Sequence, residues 1–128
     1  MSLASAKVLI AIIGLGLASA AIAEDLVYYG SDRSKSDYYY DAETIRRYDD
    51  GDVDVWTKRD ASKDKTVSWR TATNKFRIDC SAETFRNLGE VTYRANGTVM
   101  SSSFTPGKLV PVVPGTLVEI LFKIMCSK

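Results

Sequence analysis

The sequence predicts an α+β domain: an antiparallel β-sheet of about five or six strands, with one C-terminal α-helix packed on one face and tied to the sheet by a disulfide. Three observations carry this. Short aromatic and β-branched runs, punctuated by Gly, Asp and Asn clusters, recur from Leu26 to Phe104. Apolar residues at helical spacing appear only near the end, at Leu117, Ile120, Leu121, Ile124 and Met125. The two cysteines, Cys80 and Cys126, fall at the end of a strand pattern and at the end of that helix.

Leu26-Val27-Tyr28-Tyr29, closed by Gly30, opens the strand series, and Tyr38-Tyr39-Tyr40 follows a polar loop. Asp41 to Ile45 reads as a turn or a single helical turn. Arg46-Arg47-Tyr48 leads into Asp49-Asp50-Gly51-Asp52, a turn cluster in which Gly accepts positive φ and Asp bonds its own backbone. Val53 to Lys58 is a strand with Val53, Val55 and Thr57 on one face.

Val67 to Thr73 is expected to be another strand, carrying Trp69, and Phe76 to Cys80 alternates cleanly. The two segments are out of phase, so a bulge or turn near Thr73-Asn74-Lys75 is expected between them. Thr84 to Ala95 and Thr98 to Phe104 flank Asn96-Gly97, which favours a type I′ hairpin turn. Asn96-Gly97-Thr98 is also a glycosylation sequon, but the hairpin accounts for these residues without a sugar. Pro and Gly break the chain before the helix, and Thr116 and Glu119 have the spacing of a capping box.

Ahead of this domain, Lys7, the apolar run Val8 to Leu17 and Ala18-Ser19-Ala20-Ala21-Ile22-Ala23 have the layout of a secretory signal peptide cleaved after Ala23. Residues 1–23 are therefore the expected signal peptide and residues 24–128 the domain. The apolar run, interrupted by Gly14 and Gly16, falls short of the roughly 20 residues that span a bilayer. No Cys stands at the cleavage point to take a lipid. Export to the periplasm or the cell surface, without a lipid anchor or a retained transmembrane segment, is the expected outcome.

In an exported chain two cysteines most simply pair, so a Cys80–Cys126 disulfide is expected. Lys7 is the one charge in the leader, leaving 16 basic and 16 acidic side chains in the remaining 105 residues. That balance argues against a nucleic-acid partner and leaves any electrostatic binding to local patches. Lys58, Arg59, Lys63 and Lys65 cluster around one loop, with Asp60 and Asp64 interleaved. They are the candidate binding residues, with a solvated hairpin loop as the plainer reading. The tyrosines Tyr28, Tyr29, Tyr38, Tyr39 and Tyr40 must partly face outward by alternation, and exposed Tyr favours protein contacts.

Catalytic chemistry has little to stand on. The chain has no His, so Ser-His-Asp and Cys-His arrangements are ruled out. The cysteines are too far apart for a redox Cys-x-x-Cys motif, and no Gly-rich phosphate loop occurs. Asp49 to Asp54 fails the EF-hand spacing, since the sixth position holds Asp54 and the twelfth Asp60. No catalytic residue, metal or cofactor is assigned.

Val27-Tyr28-Tyr29-Gly30, Tyr40-Asp41, Thr44-Ile45, Val53 to Lys58, Arg77-Ile78-Asp79-Cys80, Tyr93, Asn96-Gly97 and Val113-Pro114-Gly115-Thr116, ending at Cys126, together resemble the bacterial surface-adhesin protein E family. The resemblance implies an antiparallel sheet with the helix tied to one face. It also implies adhesion through host extracellular-matrix and serum proteins. The chain departs from lipid-anchored members in lacking a Cys at the cleavage site. The leading expectation is a non-enzymatic binding domain with a protein ligand, and a homodimer is compatible with it. The alternative is a periplasmic structural or inhibitor-like partner of another envelope protein; a small hydrolase is the weakest reading.

Overall fold

In the computed structural model, which describes residues 24–127, the alternating runs become eight strands in one antiparallel sheet. These are β1 (Leu26–Ser31), β2 (Asp37–Asp41), β3 (Arg46–Arg47), β4 (Asp52–Asp60), β5 (Thr71–Asp79), β6 (Thr84–Tyr93), β7 (Val99–Ser103) and β8 (Val110–Pro111), followed by helix α1 (Leu117–Cys126). The main order is β1-β2-β4-β5-β6-β7, with β3 also on β4 and β8 also on β6. The expected signal peptide lies outside the described residues.

Eight strands exceed the five or six expected because two strands of two residues escape any periodicity. β3 follows a single 3₁₀ turn at Ala42–Thr44, which lifts the chain off β4 and returns it two residues later. Thr44 closes the resulting gap in the ladder: its hydroxyl accepts from the Trp56 N–H at 3.0 Å and donates to the Asp41 carbonyl at 2.7 Å.

The strand expected from Val67 to Thr73 begins only at Thr71. Val67 to Arg70 form a loop, and Thr71–Asp79 runs unbroken, so no phase reset occurs at Thr73-Asn74-Lys75. Ala72, Asn74, Phe76 and Ile78 share the face toward the helix. The irregularity sits opposite, in β6, where Leu88 is skipped between the pairs Lys75–Gly89 and Phe76–Asn87. This bulge lets β6 change partners along its free edge: Thr84 and Phe85 pair with β8, Glu90 to Tyr93 with β7.

The Asn96-Gly97 hairpin forms, but not as a type I′ turn. Of the two residues only Gly97 has positive φ (89°), and Gly97 N–H bonds the Arg94 carbonyl at 2.9 Å. Ala95-Asn96 is therefore the turn and Gly97 the left-handed bulge residue, with Asn96 Oδ1 accepting from the Thr98 N–H and hydroxyl. Tyr48 to Asp52 repeats the device, with Gly51 at φ 97°.

α1 lies on the face that Val53, Val55 and Ile78 share, and these bury with Leu121 and Met125 into one cluster. Thr116 caps the helix, its hydroxyl accepting from Glu119 N–H at 3.3 Å, while Glu119 reaches back to Gly115 N–H at 3.0 Å. The Cys80–Cys126 disulfide is present and fastens the helix end to the end of β5. Arg47 adds a second tie, donating to the Met125 carbonyl at 2.5 Å. Where the first helical turn crosses β1, Gly30 leaves room for Leu117, which a Cβ would overlap.

Candidate functional site

α1 covers only the Val53–Val55 half of one sheet face. The other half is open, and the strands position its side chains. Alternation along β4 sends Arg59 to the same face as Val53, Val55 and Thr57, and Lys58 to the opposite one. The four basic residues singled out in the sequence therefore do not share one surface. Lys58 pairs with Glu24 at 3.7 Å on that opposite face, and Lys63 and Lys65 stand exposed in the loop after β4.

Arg59 is the hub of the open half. Its Nη2 donates to Asp64 at 2.9 Å and lies 3.5 Å from Asp32. Its guanidinium carbon sits 5.0 Å from the Trp69 ring centre and 5.4 Å from that of Tyr38. Asp64 is buried and accepts from the Thr66 hydroxyl and N–H, the Ser36 hydroxyl and Arg59. Those donors hold its carboxyl well below the usual carboxylate range, Thr66 first among them. Asp64 thus locks the β1–β2 loop to the β4–β5 loop and fixes Arg59 between them. Tyr38 donates to Asp32 at 2.9 Å. Burial, then that bond, pushes its phenol up to about 12.

Between this hub and the first turn of α1 lies a cleft of 240 Å³. Tyr29, Phe76 and Leu117 supply apolar walls, and Thr57, Asn74 and Glu90 line a polar stripe across β4, β5 and β6. A larger hollow of 470 Å³ beside the disulfide is floored by the Tyr48–Val53 hairpin.

The sheet face opposite the helix carries its own buried charge. Arg77 grips Asp54 with two bonds of 2.7 and 2.8 Å, Tyr48 donates to the same carboxylate at 2.8 Å, and Lys75 stands 4.0 Å away. Burial alone raises the Asp54 carboxyl, but the Arg77 and Tyr48 bonds outweigh it and the net displacement is downward. The tyrosines divide between the faces: Tyr28 and Tyr39 meet edge-on, ring centres 5.7 Å apart, on the face away from the helix, while Tyr29 and Tyr40 pack against the core.

Exposed apolar side chains gather along one edge. Val99, Phe104, Leu109, Val110 and Val113 are all solvent-facing, Phe104 at 60% and Leu109 at 59%. They belong to β7, β8 and the segments around them, which pair with the sheet only through β6.

Residues 26–127 match the surface-adhesin protein E family. The chain belongs to this family. The match covers every strand and the helix, and it makes the domain a surface-adhesin-like binding domain. No curated protein and no solved structure matches the chain significantly. No described helix is long and apolar enough to cross a membrane.

No motif in the sequence marks Trp69, Asp64, Asn74 or Glu90 as site residues. A signal existed for Arg59: the parity of Val53, Val55 and Thr57 separates it from Lys58. Asp64 gave none, because its partners Ser36 and Thr66 come from two loops without periodicity.

Proposed function

We propose that this chain is an exported, non-enzymatic adhesion domain whose ligands are host extracellular-matrix or serum proteins. The family match over residues 26–127 carries the reading. The contact surface is the edge formed by β7, β8 and their flanks, because a run of exposed apolar side chains is what a protein partner can bury. Lys63 and Lys65 add a minor, salt-sensitive contribution from the neighbouring loop. Lys58 and Arg59 are engaged by Glu24 and Asp64 and contribute less.

Export with cleavage after Ala23 suits the fold. β1 begins at Leu26, and the new N-terminal segment is already pinned by the bonds of Asp25 N–H to Asp41 and of Ala42 N–H to the Asp25 carbonyl. Binding of the purified protein to immobilised matrix and serum proteins, with protease treatment of intact cells, tests the proposal. Capture by at least one such protein and digestion at the cell surface are expected. Absence of capture together with full protease protection overturns adhesion and leaves the periplasmic partner of another envelope protein.

A further inference from the structure

We propose that the cleft between α1 and the open half of the helix-bearing sheet face is a receptor for a single basic side chain, lysine or arginine, presented by a partner protein. The inference rests on the reading of the domain as a protein binder, and it names a second, chemically distinct point of contact. Size is the first argument. At 240 Å³ the cleft is below the roughly 300–1,000 Å³ of sites for cofactors and drug-sized ligands, which fits one long side chain.

The second argument is the sorting of charge. Arg59 at one end is already balanced by Asp32 and Asp64. Glu90, on the β6 wall, has no ion-pair partner among the described residues. The uncompensated charge of the cleft is therefore negative. An acidic side chain would be repelled, and a purely apolar one would strip water from Glu90 without replacing it. A basic side chain lays its methylene stem along Tyr29, Phe76 and Leu117 and sets its head against Glu90.

Asn74 completes the head site. It stands directly opposite Glu90 in the β5–β6 register, and its side-chain amide makes no hydrogen bond to any described residue. Its oxygen is a free acceptor beside the carboxylate. Position is the third argument. Glu90 is paired with Ser103 of β7, so a partner lying on the apolar edge has the cleft one strand away.

The test is a chemical-shift titration of the isotope-labelled protein with the N-acetyl, N-methylamide derivatives of arginine, lysine, leucine and glutamate. Saturable shifts at Asn74, Glu90, Leu117 and the Trp69 indole are expected with arginine or lysine, weaker ones with leucine and none with glutamate. Glu90→Gln should weaken the basic probe by about 5-fold, the upper end for an exposed ion pair. Glu90→Lys should abolish its binding and admit the glutamate derivative. A leucine derivative that binds as tightly as arginine, a Glu90→Gln variant with unchanged affinity, or shifts confined to other surfaces would overturn the assignment. The titration uses no matrix protein, so it stays readable if the adhesion experiment fails; conversely, capture that survives Glu90→Lys counts against the cleft alone.

Discussion

Removing the disulfide by the double substitution Cys80→Ser, Cys126→Ser should destabilise the domain without undocking the helix. The bridge spans 46 residues of sequence, for which the loss of unfolded-chain entropy gives about 4 kcal/mol as an upper figure. Native bridges usually deliver less, so about 2–4 kcal/mol is expected. At about 5 °C per kcal/mol for a domain of this size, the melting midpoint should fall by about 10–20 °C. The folded state should survive. Leu121 and Met125 stay buried against Val53, Val55 and Ile78, and Arg47 still holds the Met125 carbonyl. Urea and thermal denaturation of both proteins, with near-ultraviolet circular dichroism at 25 °C, measure the two effects separately. Equal midpoints would refute the stabilising role of the bridge. A lost near-ultraviolet signal in the variant would refute the claim that packing alone keeps the helix in place.

Three further outcomes follow from the same geometry. Leu121, 1% exposed, should cost about 2–5 kcal/mol on truncation to Ala, whereas Lys123 on the outer side should tolerate Ala within about 0.5 kcal/mol; similar midpoints for the two variants would mean the helix face is misassigned. Asp54→Ala should cost about 2–3 kcal/mol by urea denaturation, less than the roughly 3–5 of a fully buried pair because the Arg77 side chain is 41% exposed. Asp54 and Asp64 are both displaced downward in the folded protein, so their stabilisation is complete above the unfolded carboxylate value of about 4 and is lost as pH falls below it. Urea midpoints should therefore drop between neutral pH and about pH 3, and an unchanged midpoint would contradict those assignments.

The parts of the fold legible in the sequence are those where one local rule acts alone. The stripe Leu117, Ile120, Leu121, Ile124 and Met125 and the Thr116–Glu119 cap define α1 without tertiary help, and the alternation of Val53, Val55 and Thr57 assigns the core face of β4. Pattern and structure part where tertiary contact overrides pattern. Trp69 reads as a strand residue because indoles favour sheets, but it lies in the loop before β5, stacked on Arg59. Asn96-Gly97 suggested a two-residue turn, yet Asn96 serves as an acceptor for Thr98, and Gly97 takes the left-handed position alone. The Leu88 bulge has no signature in its own residues; it lies where the free edge of β6 passes from β8 to β7, a division that no periodicity within β6 encodes. The candidate site was legible only in part for the same reason: the basic cluster is contiguous in sequence, whereas strand alternation and the Asp64 lock disperse it in space.

The central claim, that this domain holds a protein ligand through its apolar edge rather than through its basic loop, is tested most directly by comparing two variants on whichever matrix or serum protein captures the wild type. Phe104→Ser, Leu109→Ser removes exposed apolar surface, and Lys63→Ala, Lys65→Ala removes exposed charge. The account predicts that the first variant, folded by circular dichroism, loses most of its binding, that the second retains it, and that wild-type binding changes little as salt rises. Loss of binding in the lysine variant alone, with affinity collapsing once charges are screened over about 10 Å at 0.1 M salt, would contradict it.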